Sequence, residues 1–88
     1  MSFRLADGVQ VRQEKWGLLF YRPVPHKLLF VRIADWLYPD HFDGSWTFTN
    51  LVEDIARRTG ASKQIIESSL PRLADRLVKN GVIADEIR

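Results

Sequence analysis

The rhythm of apolar and polar positions changes once along this chain, near Pro39. Before that point, Val9-Gln10-Val11-Arg12 alternates with period two. Trp16-Gly17-Leu18-Leu19-Phe20-Tyr21-Arg22 and Lys27-Leu28-Leu29-Phe30-Val31-Arg32 are aromatic and aliphatic runs of strand length. Between the two runs lies Pro23-Val24-Pro25-His26. Proline has no N–H to give to a ladder, so this segment predicts a hairpin connection. The three runs together predict an antiparallel meander. Ile33 to Tyr38 predicts a short helix that stops before Pro39, because the residue ahead of a proline is driven out of the helical region. Asp40-His41-Phe42-Asp43-Gly44-Ser45 has the composition of a loop.

After the loop the period is helical. Phe48, Leu51, Val52, Ile55 and Ala56 form an i, i+3, i+4, i+7, i+8 stripe. Asn50 and Glu53 predict a capping box at its start, and Gly60 supplies the C-terminal stop. Ser62 predicts the cap of a further helix, whose Ile66, Leu70, Leu73 and Leu77 keep one face apolar until Asn80-Gly81. Pro71 is expected to kink or divide it, with Leu70 as the last residue of the first segment. The resulting order is β-β-β-α-α-α: an α+β domain with a three-stranded antiparallel sheet followed by three helices. From Leu51 to Ile83 the pattern has the look of a winged helix-turn-helix.

The chain has 88 residues, so residues 1–88 are expected to form one domain around one core. Hydrophobic residues make up 45% and charged residues 27%, a balance that favours folding over disorder. Thirteen Lys and Arg against eleven Asp and Glu leave a net charge of only +2. A domain built on phosphate contacts usually carries a stronger or clustered basic excess. Cysteine is absent, which excludes disulfides, iron–sulfur ligation and thiol catalysis within this chain. The first eight residues contain no apolar h-region, and the longest apolar runs fall far short of the ~20 residues of a membrane span. A cytoplasmic protein without a membrane partner is expected.

Catalytic chemistry has few candidates. His26 and His41 are the only imidazoles, and neither has a ligand at i, i+4 spacing. Asp40, His41 and Asp43 cluster in the loop, where a divalent ion competes with a simple solvated segment, and the solvated segment is preferred. Gly44-Ser45-Trp46 lacks the second glycine of a nucleophile elbow. Neither an enzyme nor a cofactor is expected. DNA binding by a winged-helix regulator is the alternative, suggested by Arg57, Arg58, Lys63, Arg72, Arg76 and Lys79. Yet the recognition-helix segment Ser62-Lys63-Gln64-Ile65-Ile66-Glu67-Ser68-Ser69 offsets its lysine with a glutamate, and seven residues after Gly81 are too few for a β-wing. No nucleic-acid partner is therefore expected.

The two central strand runs are apolar on both faces, while helices cover only one face of a small sheet. The other face or the edge then presents an apolar patch, used either by a homodimer or by a peptide added at the open strand.

The stretch from Val9 to Tyr21, with its Val-x-Val-Arg opening and aromatic-Gly-x-Leu-aromatic-Tyr strand, is followed after a short turn by His26-Lys27-Leu28-Leu29-Phe30-Val31. Together with Leu73, Leu77 and Gly81-Val82-Ile83, it resembles the PqqD-like peptide chaperones, with a look nearest to the mycofactocin-system MftB subgroup. The resemblance covers nearly the whole chain and departs from the family pattern in the longer loop from Asp40 to Trp46 and in Pro71. It implies a RiPP recognition element. Such a domain is non-catalytic, binds the leader of a ribosomally made precursor peptide by strand addition, and presents it to a radical SAM maturase with a SPASM extension. Carried onto this sequence, the resemblance implies a peptide edge of His26, Lys27, Leu28, Leu29, Phe30, Val31 and Arg32. The facing helix wall, from Ser62 to Leu73, contributes Lys63, Ile66, Ser69, Leu70 and Leu73.

Overall fold

The computed structural model describes residues 2–32 and 35–84. It is an α+β domain in the order β1 (Ser2–Arg4), β2 (Gln10–Glu14), β3 (Gly17–Arg22), β4 (Lys27–Val31), a 3-10 helix (Pro39–Phe42), β5 (Asp43–Thr47), α1 (Phe48–Thr59) and α2 (Lys63–Lys79). The predicted meander is present as an antiparallel sheet of order β2-β3-β4. Its register stacks Val11, Phe20 and Leu29 in one row and Gln13, Leu18 and Val31 in another. Alternation places these rows on one face. Leu18, Phe20 and Val31 sit in the hydrophobic core with Phe3, Leu37, Phe42, Leu51, Ile55, Ile66, Leu70 and Leu77.

A second sheet was not expected. β1 pairs antiparallel with β5, across the residues read as a loop. The register slips between Ser2 and Arg4, and Gly44 absorbs the irregularity with φ +84°. A Cβ there would stand 3.2 Å from the Arg4 side chain, so glycine suits both the backbone and the close approach. β1 and the residues after it also reach the segment that follows α2. Leu5 bridges Ile83, the Ala6 N–H donates to the Val82 carbonyl at 3.1 Å, and the Ala84 N–H donates to the Arg4 carbonyl at 2.7 Å.

The helices also differ from expectation: the described residues hold two α-helices rather than three. Of the short helix expected over residues 33–38, Ile33 and Ala34 lie outside the described residues, and Asp35 to Tyr38 are not helical. Pro39 lacks the N–H that would close a helical turn onto the Asp35 carbonyl. Arg58 instead donates to the carbonyls of Asp35 at 2.6 Å and Trp36 at 2.7 Å. In α1 the cap is Thr47, whose hydroxyl accepts from the Asn50 N–H at 3.0 Å, so the Asn50–Glu53 box does not form at the helix start. Gly60 ends α1 in the left-handed region, as the stop signal requires. Ser62 caps α2 by accepting from the Gln64 N–H at 3.1 Å. α2 then runs undivided through Pro71 to Lys79. Ile66 and Leu70 before the proline and Ala74 and Leu77 after it share one buried face, and this packing holds the helix together across the missing backbone bond.

Candidate functional site

β4 is an edge strand: it pairs with β3 on one side, and no described strand pairs with the other. Its side chains alternate sharply. Val31 is buried and Leu29 half-buried on the core side, whereas Leu28 is 49% and Phe30 57% exposed on the other face. Register places Leu28 beside Tyr21 and Phe30 beside Leu19. The expected apolar outer face is therefore real. It is richest at the β4 end, where the Trp16 ring lies 5.5 Å from that of Phe30, with Trp16 itself 37% exposed.

Beside this aromatic pair, Trp16, Phe30, Arg32 and Arg76 line a cleft of about 520 Å³. It joins the end of β4 to the C-terminal half of α2. Two features position it locally. Trp16 occupies the tight connection between Glu14 of β2 and Gly17 of β3, which are register partners. Arg76 stands three residues beyond half-buried Leu73, on the flank of the buried stripe of α2. Neither the Arg32 nor the Arg76 guanidinium has a hydrogen bond or ion pair among the described residues.

The twelve residues singled out from the sequence do not all meet here. Phe30 and Arg32 line the cleft, and Leu28 lies exposed on the same strand. His26 is exposed in the hairpin connection, and Lys27 is half-buried at the start of β4. On α2, Ser69 and Leu73 are half-buried. Ile66 and Leu70 are fully buried core residues, as is Val31, so none of the three presents a side chain to a ligand in this conformation. The resemblance implies a place for them in the groove, yet their apolar side chains serve the core. Lys63 is exposed but thirteen residues from Arg76, about 20 Å along the helix axis. The sequence reading missed Trp16 and Arg76 as cleft residues, although Arg76 follows Leu73 at flank spacing.

The loop histidine belongs to a different constellation. His41 is 4% exposed and uses both ring nitrogens: Nδ1 accepts from the Tyr38 N–H at 2.9 Å, and Nε2 lies 3.1 Å from Asp54 Oδ2. Because Nδ1 accepts, the proton sits on Nε2 and points at the carboxylate. Asp54, 8% exposed, also accepts from Arg57 and Arg58 at 2.7 Å each. Burial pushes the Asp54 carboxyl up, but hydrogen bonds from Arg58 and His41 and the Arg58 charge outweigh it, so its pKa lies below the ordinary value. The Trp46 ring meets His41 edge-on at 4.7 Å, and Arg58 lies over the Tyr38 ring at 4.8 Å. The Asp43 carboxylate turns to Ser45, whose hydroxyl and N–H donate to it at 2.6 and 2.8 Å and hold its pKa low. His41 and Asp43 thus face different partners. Among the described residues no group of three His, Cys, Asp or Glu is placed to hold a metal ion.

The cations that suggested DNA are partly occupied. Arg57 and Arg58 are bound to Asp54, and Lys79 to Asp75 at 3.0 Å. No described helix is long and apolar enough to cross a membrane. No protein-family model, no curated protein and no solved structure matches this chain.

Proposed function

We propose that this domain is a non-catalytic peptide chaperone on a winged-helix-like scaffold. It binds the leader of a ribosomally synthesised precursor peptide as an added strand along β4 and presents it to a radical SAM maturase of the SPASM type. The observation that carries this reading is the open edge of β4, with Leu28 and Phe30 exposed beside the cleft against α2. Edge strands are normally blunted by charge, proline or covering elements, since unpaired N–H and C=O groups invite another chain. Here the middle of the edge carries large apolar side chains, which suits main-chain pairing for affinity and alternate side chains for selection. A DNA-binding regulator is disfavoured by the internal pairing of Arg57, Arg58 and Lys79. It is disfavoured also by the described segment after α2, where Val82, Ile83 and Ala84 turn back onto the chain at Arg4 to Ala6.

The test is an NMR titration of the ¹⁵N-labelled chain with the synthetic leader of a precursor peptide encoded beside its gene. Amide shifts are expected over Leu28 to Arg32 and over Leu73 to Arg76. Shifts confined to β2 or to the 3-10 helix would show that a peptide docks elsewhere. A gel-shift site tighter than roughly 10⁻⁷ M at ~0.15 M salt would replace the chaperone with the regulator.

A further inference from the structure

We infer that the segment taken up at β4 carries an Asp or Glu side chain held by Arg32 and Arg76, two positions from a large apolar side chain seated on Trp16 and Phe30. This rests on the peptide-binding reading above and adds the chemical class of the peptide. Three observations carry it. The cleft is lined by two aromatics and two arginines, with no carboxylate among its lining residues. Both guanidiniums lack a partner among the described residues, and of the arginines in that state they are the two that line one cleft. Arg32 follows β4 directly, and strand alternation sets it on the same face as Leu28 and Phe30.

The register follows from that alternation. A strand added to β4 meets Leu28, Phe30 and Arg32 with side chains spaced by two. Its sequence therefore reads apolar-x-apolar-x-acidic in one direction, or the reverse in the other. Arginine suits the task because its planar fork binds a carboxylate bidentately and stacks on aromatic faces. Arg76, reaching from α2, supplies the second wall.

The probe is a phage-displayed dodecapeptide library, each peptide fused through its C-terminus so that any carboxylate comes from a side chain. It is selected against the full chain and against R32S/R76S, both substitutions lying at exposed positions. Peptides selected by the natural chain should be enriched in Asp or Glu two positions from Phe, Trp or Leu, and the double variant should lose the acidic preference while keeping the apolar one. For a selected peptide measured by fluorescence anisotropy, R76S and the Asp→Asn change in the peptide should each weaken binding about tenfold, and together little more than either alone. Peptides that shift the β4 amides but show no acidic preference, or whose two losses multiply, overturn the inference and leave the chaperone reading standing. A library with no enrichment at β4 overturns both.

Discussion

Asp54 concentrates three donors on one buried carboxylate, and its two neighbours on α1 are the donors with full charge. Removing the acceptor leaves the buried His41 Nε2–H without a partner and takes from Arg58 its carboxylate. Asp54→Ala is therefore expected to cost about 2–4 kcal/mol, measured by urea unfolding. The pH dependence has a definite sign. The folded carboxyl titrates below the ordinary value of 3.8, so its stabilisation is complete above that value and disappears as pH falls through the folded pKa. Asp54→Asn should be less stable at pH 7 and lose less stability between pH ~5 and ~2.5; equal acid limbs in both chains would place the proton uptake elsewhere. Gly44 makes a second residue-level case. With φ +84° and the Arg4 side chain 3.2 Å from the added Cβ, Gly44→Ala is expected to cost about 1–3 kcal/mol in the same assay.

At the scale of elements, Pro71 is the outstanding local conflict. It occupies the interior of a 17-residue helix and withholds one donor from it. Pro71→Ala should raise stability by about 1–3 kcal/mol in thermal or urea unfolding; a loss of stability would show that the proline ring's packing outweighs the missing donor. The sequence announced α1, α2 and the meander because each has a long period to read: the stripe from Phe48 to Ala56, the stripe from Ile66 to Leu77, and three runs of strand length. It did not announce β1 and β5. Ser2-Phe3-Arg4 has one inward apolar residue, and Asp43 to Thr47 holds a glycine, two hydroxyl residues and a carboxylate. Pairing with each other, and burial of Phe3 against Phe42 at 5.6 Å, make them strands. That is tertiary information no local pattern carries. The cleft was half legible for the same reason. Phe30 and Arg32 stood on a recognisable strand, but Trp16 and Arg76 reach it only through a turn and a helix flank that folding brings together.

For the whole molecule, the open β4 edge raises the question of self-association. Two copies pairing antiparallel through β4 would bring the Lys27 end of one strand against the Arg32 end of the other, where like charges meet. The chain is accordingly expected to sediment as a monomer at ~0.1 mM. Arg32→Glu replaces repulsion with attraction at both ends and should move the equilibrium toward a dimer. A dimer of the unaltered chain that disappears in Leu29→Pro would mean that the edge is used by a second copy rather than by a peptide.

The meeting of Arg4 with Ala84, and of Leu5 with Ile83, also bears on how this fold tolerates rewiring. A chain in which Arg4 and Leu5 hold Ile83 and Ala84 is close to a ring between those points, and where such a ring is cut matters less than that it stays joined. Linking residue 88 to residue 1 through a short Gly-Ser spacer and opening the chain at Val24, 84% exposed in the hairpin turn, should yield a circular permutant with the same cooperative melt by circular dichroism. By the same geometry, the unit can be spliced into the loop of a larger host as a cassette whose two arms leave from the paired Arg4 and Ala84, with β4 left free on its rim.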